Sequence, residues 1–170
     1  MNYADPSGHD PEWWQWAISI TEVVIGIGLC FIPFTQPLGG VLIGTGIGSM
    51  INGYLNEYNG GSFTAGWAGG QVSGVASLIP GVGTILGAFL GSVVTDWMDF
   101  GWNNIDWGKA IVSGVLAWAL TLGPSLISEW VKLEKIYDPA IFLVNSINSV
   151  GASASISISN VFWRNRYERS

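Results

Sequence analysis

The chain has 170 residues, of which 49% are hydrophobic and 11% are charged, against about a quarter charged in ordinary soluble domains. Together with 24 glycines and 10 tryptophans, this composition excludes intrinsic disorder and argues against an ordinary soluble enzyme. Every charged residue before Lys109 is acidic: Asp5, Asp10, Glu12, Glu22, Glu57, Asp96, Asp99 and Asp106. A nucleic-acid partner is excluded, because binding to phosphates requires clustered Lys and Arg.

Four long stretches contain no Asp, Glu, Lys, Arg or His: 23–56, 58–95, 110–128 and 139–163. Each is close to or longer than the about 20 residues that a membrane span needs. Prolines at 33, 37 and 80 divide the first two stretches. We therefore predict an all-α fold of five to seven glycine-rich helices in hairpins. The candidate helices are 12–32, 38–57, 64–79, 82–99, 106–122 and 125–136.

The segment after these helices has a different pattern. Residues 140–150 are apolar enough for another helix, but Ser153–Ser159 (SASISIS) alternates small polar and apolar residues. Alternation at period two is typical of a half-buried strand, so a short β segment is predicted here, without an evident partner strand. The chain then ends in an aromatic and basic tail, FWRNRYERS.

Glycines recur at intervals of four in three successive helical segments. The triplets are Gly40, Gly44 and Gly48; Gly66, Gly70 and Gly74; and Gly83, Gly87 and Gly91. Residues four apart share one face of a helix, so each triplet predicts a smooth groove along which another helix can approach closely. A tightly packed soluble hairpin, or a set of glycine-rich loops, remains the alternative.

Tryptophans mark the ends of the apolar segments, a placement typical of membrane interfaces. The residues predicted to lie there are Trp13, Trp14, Trp16, Trp97, Trp102, Trp107 and Trp130. Core filling is the alternative role for any single one of them.

The chain contains few groups that could carry out catalysis. His9 is its single histidine, so neither a histidine-pair metal site nor an ordinary catalytic triad is predicted. Asp96, Asp99 and Asp106 lie near Asn103 and Asn104, but their spacing matches no calcium loop. We therefore predict a solvated turn there, and no enzyme activity, catalytic residue, metal or cofactor. Five hydroxyl side chains are expected either to line a narrow polar path or to pack helices: Ser73, Ser77, Thr84, Ser92 and Thr95.

The N-terminal sequence Tyr3-Ala4-Asp5-Pro6-Ser7-Gly8-His9 resembles the DPxG motif that closes the core of RHS-repeat polymorphic toxins. The resemblance implies a hollow β-shell upstream that cleaves itself near Gly8–His9 and releases a C-terminal toxin. Asp5, Pro6, Ser7, Gly8 and His9 would form the cleavage motif. The family often has Leu where this chain has His9.

The resemblance suggests three regions: a junction at 1–11, a helical membrane-inserting domain at 12–136, and a C-terminal segment at 137–170. No secretory signal peptide is predicted at the N-terminus, so a delivery system would carry the domain to the cytoplasmic membrane of a target bacterium. The expected partners are the bilayer, the parent shell before release, an immunity protein and, in an oligomeric pore, further copies of the chain.

The leading hypothesis is therefore a toxin domain that forms pores in or depolarises a membrane, used in competition between bacteria. Two alternatives remain open. One is a translocation segment that delivers a separate enzyme, and the other is a soluble helical binding module held in the parent shell.

Overall fold

The computed structural model describes residues 10–32, 34–79, 82–131 and 150–159, with residues 121–131 described as backbone only. These residues form an all-α fold, which confirms the predicted fold class. The helices are α1 (Trp13–Cys30), α2 (Gln36–Tyr58), α3 (Phe63–Ala76), α4 (Gly83–Phe100), α5 (Trp107–Val131) and α6 (Val150–Ser159). A short 3₁₀ turn, Trp102–Asn104, precedes α5.

Local signals in the sequence define several helix ends. A capping box begins α1, in which the backbone N–H of Glu12 donates to Gln15 Oε1 at 2.8 Å. The Ser62 hydroxyl accepts a hydrogen bond from the Ala65 N–H and so caps α3. Gly101 ends α4 with φ of 82°, a conformation that favours glycine. Pro37 lies in the first turn of α2, where its missing N–H costs nothing.

Neighbouring helices from α1 to α5 run antiparallel, as the residues that face each other show. The pairs are Ser19 with Gly46 and Gly26 with Gly39; Asn52 with Gly66 and Thr45 with Gly74; Gly69 with Gly91 and Ala76 with Gly83; and Lys109 with Asp96 and Gly114 with Ile85. The starts of α1, α3 and α5 therefore meet the ends of α2 and α4 at one end of the bundle, called the aromatic end here.

The opposite end of these hairpins contains the α1–α2 and α3–α4 turns and is called the tip here. Its described residues are Phe31, Ile32, Phe34, Thr35, Ser77, Leu78, Ile79 and Val82.

The predicted β segment is wrong, because Ser153–Ser159 lies within α6. The serine hydroxyls take part in helical bonding: Ser155 Oγ donates to the Gly151 carbonyl at 2.7 Å. A lone strand would leave its backbone groups unpaired, whereas a helix pairs them within the segment. Four of its serines and Ile156 are buried, so the alternation reflects contact with several neighbouring helices and not a two-sided strand.

Helix α6 packs against three other helices. Ser153 faces Gly48 and Ser157 faces Asn52, so α6 runs parallel to α2. Ile156 contacts Gly91 of α4, and Ser159 shares a hydrogen bond with Ser113 of α5. The described part of the predicted 137–170 region therefore belongs to the same core as the helices before it.

The predicted break between helices at 122 and 125 is also wrong, since α5 continues through Gly123 and Pro124 to Val131. A proline within a helix removes one hydrogen bond, to the carbonyl four residues earlier, and this loss need not end the helix. Residues 132–136 of the predicted last helix, and most of the apolar segment 140–150, lie outside the described residues.

Candidate functional site

The outer surface of the bundle is the most unusual feature of the described structure. On α1, Ile20, Val24 and Ile27 are 54%, 61% and 48% exposed. Large apolar side chains at the middle of the other helices are exposed as well: Ile47, Ile51, Leu86, Leu90, Ile111, Val115 and Trp118. Soluble monomers rarely present continuous apolar surfaces of this kind, which mark sites of contact with a protein or a membrane.

Among the described residues, two helices, α1 and α2, are long and apolar enough to cross a membrane by length and composition. Most of the uncharged stretch 139–163 lies outside the described residues. A core helix of a soluble protein can be equally long and apolar, and 56% of the apolar stretch of α2 is buried in the bundle. Helix α1 differs, because only 17% of its apolar stretch is buried.

The interior contains polar side chains in the place of a large apolar core. Between α1, α2 and α3, Gln71 Nε2 donates to both Glu22 Oε2 (2.9 Å) and Ser49 Oγ (3.1 Å). The Ser19 hydroxyl lies 3.4 Å from Ser49 Oγ and accepts from Trp67 Nε1 at 3.0 Å. Glu22 is therefore connected to the centre of the bundle by hydrogen bonds.

A second buried polar group joins α2, α3 and α6. Asn52 Nδ2 donates to the Gly66 carbonyl at 2.6 Å, and Asn52 Oδ1 accepts from Ser157 Oγ at 2.6 Å. Both side chains are buried. The Asn52 amide thus fixes the position of α2 relative to two neighbours, one of which lies 105 residues away in sequence.

The second glycine triplet forms the α3 side of the α2–α3 interface. A Cβ on Gly70 would lie 2.5 Å from Ser49 Cα, and one on Gly66 would lie 2.5 Å from the Asn52 carbonyl oxygen. Real Cβ atoms are essentially never closer than 3.0 Å to such groups. The two backbones therefore approach too closely for any side chain at Gly66 and Gly70. Gly74 instead leaves room for the side chain of Thr45.

The third triplet forms the α4 side of the α3–α4 interface. Cβ atoms on Gly87 and Gly91 would lie 2.5 Å from the carbonyl oxygens of Ser73 and Gly69. Gly83 faces the Ala76 carbonyl. Gly69, which lies outside the triplets, supplies the matching close approach from α3.

The first triplet is buried within α2, and its Gly48 faces Ser153 and Val150 of α6. The α1–α2 contact is made by Gly26 with Gly39, and by Gly46 against the Ser19 carbonyl. The spacing of seven between Gly39 and Gly46, with small Ser19 and Gly26 also seven apart on α1, is the signal that points to this interface.

Most of the predicted interface tryptophans are exposed at the aromatic end. Trp13, Trp16, Trp97, Trp102 and Trp107 are all exposed. Trp14 differs, because it packs edge-on against Trp67 with 5.2 Å between ring centroids, and its Nε1 donates to Glu12. The side chain of Trp130 lies outside the described residues.

The predicted solvated turn is wrong for Asp96, which is buried, whereas Asn103 and Asn104 are exposed and Asp99 and Asp106 are half-buried. Asp96 and Lys109 form an ion pair between α4 and α5, with exposures of 1% and 7%. Asp99 accepts hydrogen bonds from the Ser62 N–H, the Ser62 hydroxyl and Asn56 Nδ2. These carboxylates fix helix positions, and the described residues contain no group of three His, Cys, Asp or Glu side chains suited to a metal.

The hydroxyls expected at a polar path lie largely within helix interfaces. Ser73, Ser92 and Thr95 are buried, and Thr95 Oγ1 donates to the Gly91 carbonyl at 2.9 Å. Ser77 Oγ donates to the Gly74 carbonyl. Thr84 is half-buried. Ser73, Ser92 and Ser153 each have a buried Oγ without a hydrogen-bond partner in the described structure.

The predicted cleavage motif, Asp5 to His9, lies outside the described residues. Comparison with protein-family models, with curated proteins and with solved structures finds no match for the chain.

Proposed function

We propose that the chain is a membrane-inserting domain that dissipates the potential of a bacterial cytoplasmic membrane. The distribution of polarity carries this proposal: large apolar side chains cover the outside of the helices, while hydroxyl, amide and charged groups occupy the inside. Lipid favours this arrangement, because an apolar exterior needs no water and interior polar groups find partners on neighbouring helices.

The glycine interfaces support the same function. Apolar burial gives no drive for helices to associate in lipid, where the tails are as apolar as Leu, so close backbone contact is a main source of association. Gly66, Gly70 and Gly74 permit that contact between α2 and α3, and the third triplet permits it between α3 and α4. In water, each glycine within a helix costs about 0.5–1 kcal/mol relative to alanine, so close packing compensates for this cost.

The proposed ion conduction draws support from buried hydroxyls within the helix interfaces. The hydroxyls of Ser73, Ser92 and Ser153 are unpaired in the described structure, and each unsatisfied buried polar group costs roughly 1–3 kcal/mol. Water or a passing cation would satisfy them. The resemblance at Asp5–His9 supports a place for this domain among the released toxins of RHS-repeat proteins, in which case an immunity protein would be its antagonist.

A soluble binding module is the second candidate, favoured by the finding that only α1 and α2 of the described helices have the length and composition of a span. In that case a protein partner would cover the apolar face of α1. A translocation segment would require an attached enzyme, and would differ from a depolarising domain in leaving the membrane potential intact.

The test uses the full chain with phosphatidylethanolamine–phosphatidylglycerol vesicles that hold a potassium diffusion potential and a trapped dye. We expect the potential to collapse while the large dye is retained, because the polar interior is narrow. A chain that stays monodisperse without detergent and leaves the potential intact would support the binding module instead. Toxicity in cells with a normal potential and with degraded nucleic acid or depleted NAD would indicate an enzyme.

A further inference from the structure

Charge is separated along the two hairpins α1–α2 and α3–α4. The aromatic end holds most of the charged side chains that the structure describes: Asp10, Glu12, Glu57, Asp96, Asp99, Asp106 and Lys109. The described residues of the tip contain no charge. Glu22 lies between the two ends, midway along α1, where its carboxylate accepts a hydrogen bond from Gln71.

The tip presents apolar side chains to the outside. Phe31, Ile32 and Phe34 of the α1–α2 turn are 78%, 51% and 100% exposed. Ile79 and Val82 of the α3–α4 turn are about half exposed. Phe34 also has φ of 73°, the only positive value at a non-glycine residue in the described structure. Its ring therefore projects outward from a strained backbone position and makes no contact that would offset the strain.

Side chains satisfy the backbone carbonyls of the α1–α2 turn. Thr35 Oγ1 donates to the carbonyls of Leu29 (2.7 Å) and Ile32 (3.0 Å), and Gln36 Nε2 donates to the Cys30 carbonyl at 3.2 Å. The last carbonyls of a helix ordinarily depend on water. These bonds leave fewer carbonyls of the turn dependent on water when it enters a bilayer.

The α3–α4 turn has the same property. Ser77 Oγ donates to the Gly74 carbonyl at 2.6 Å. The backbone N–H groups of Leu78, Ile79 and Gly83 donate to the carbonyls of Val75, Ala76 and Ile79. Both turns therefore pair several of the carbonyls that end α1 and α3, while Thr35 and Val82 give no side-chain cap to the helices that follow them.

We propose that the tip is the surface that enters the bilayer first, with the two hairpins following and the aromatic end remaining at the side of entry. This inference rests on the proposed function and adds the direction of insertion to it. The opposite direction would carry Glu12, Glu57, Asp99 and Asp106 across the hydrocarbon. The two turns of the tip contain no charge among their described residues, and the backbone of α5, which includes Glu129, ends toward the same side of the bundle. Helix α1, at about 27 Å, nearly matches the hydrocarbon thickness of about 30 Å. Trp13 and Trp102 would then lie at the interface that their indoles prefer.

The test places an environment-sensitive fluorophore on single cysteines in the full chain, on a Cys30→Ser background. The tip variants are Phe34→Cys and Ile79→Cys, one in each turn, so that failure of one variant to fold leaves the other. Tyr58→Cys is the matched control, since Tyr58 is 84% exposed and lies at the aromatic end. Each labelled protein is added to the outside of phosphatidylethanolamine–phosphatidylglycerol vesicles, followed by a membrane-impermeant quencher.

We expect the probes at 34 and 79 to brighten and to be protected from the quencher, while the probe at 58 remains quenched. Protection at 58 with exposure at 34 and 79, in vesicles whose potential collapses, would overturn the direction of insertion and leave the proposed function standing. Protection of the tip probes in solution without vesicles would mean that another copy of the chain covers the tip, which also overturns the inference. Absence of vesicle binding by every variant and by the parent would overturn both proposals.

Discussion

At Gly70 the close approach of two helices depends on the absence of a single methyl group. A Cβ there would lie 2.5 Å from Ser49 Cα, so α2 and α3 would have to separate by about 1 Å to restore van der Waals contact. We expect Gly70→Ala to destabilise the protein by about 1–3 kcal/mol, measured by SDS-induced unfolding in mixed micelles with tryptophan fluorescence. The same variant should depolarise vesicles less effectively.

Gly28 provides the matched control for this substitution. It also lies within a helix, and a Cβ on it would meet nothing within 4 Å. Gly28→Ala should therefore stabilise the protein by about 0.5–1 kcal/mol through helix propensity alone. If both variants changed stability by the same amount, close packing at Gly70 would not matter.

The Asp96–Lys109 pair should behave as a structural link between α4 and α5. Because both groups are almost fully buried, removing one charge leaves the other without compensation, at a cost of about 3–5 kcal/mol. We expect Asp96→Asn and Lys109→Met each to show such a loss in the same unfolding measurement. The double variant Asp96→Asn with Lys109→Met should lose less stability than the sum of the two single losses. Additive losses would contradict a direct interaction.

The sequence predicts which residues form contacts between helices better than it predicts which residues they contact. The four-residue spacing of the glycines is enough to predict smooth faces on α3 and α4, because sequence spacing and the repeat of the helix are both local properties. It did not identify Gly39 and Gly46 as residues that contact α1, since that contact depends on how α2 is rotated between three neighbours. Nor could it pair Asp96 with Lys109, because a run of acidic and amide residues is ordinarily a solvated turn.

Helix α6 contains two isoleucines that differ in burial. Ile156 is fully buried and contacts Gly91 of α4, whereas Ile158 is 38% exposed. We expect Ile156→Ala to cost about 2–5 kcal/mol, the range for deletion of buried aliphatic groups. Ile158→Ala should cost clearly less in the same assay. Equal effects would show that α6 does not occupy this position in the core.

The helices themselves were largely predictable, because the breaks between them depend on local signals. The predicted helices at 12–32, 38–57, 64–79 and 82–99 correspond to α1 to α4. Helices α1 and α3 end near prolines, α2 ends at the Asn-Gly-Gly turn and α4 ends at Gly101. Two local signals were misleading: Pro124 does not end α5, and the serine alternation in α6 comes from its contacts with α2, α4 and α5.

For the molecule as a whole, the apolar outer face of α1 should determine whether it binds a membrane. Ile20, Val24 and Ile27 are about half exposed, so replacing all three with Gln should change the fold little. Full burial of each such side chain in an apolar environment contributes roughly 1.5–3 kcal/mol. Because about half of each of the three side chains is available to lipid, the triple substitution should weaken membrane binding by about 2–5 kcal/mol. We expect the Ile20→Gln, Val24→Gln, Ile27→Gln variant to float poorly with vesicles and to leave their potential intact.

The matched control replaces the same three residues with Leu, which keeps the face apolar and should preserve both flotation and depolarisation. Circular dichroism of both variants in detergent should match the parent, because none of the three side chains is buried in the bundle. A Gln variant that binds and depolarises vesicles as the parent does would show that α1 does not face lipid. The apolar face would then be better explained by a protein partner, and its affinity for that partner should fall in the Gln variant and not in the Leu variant.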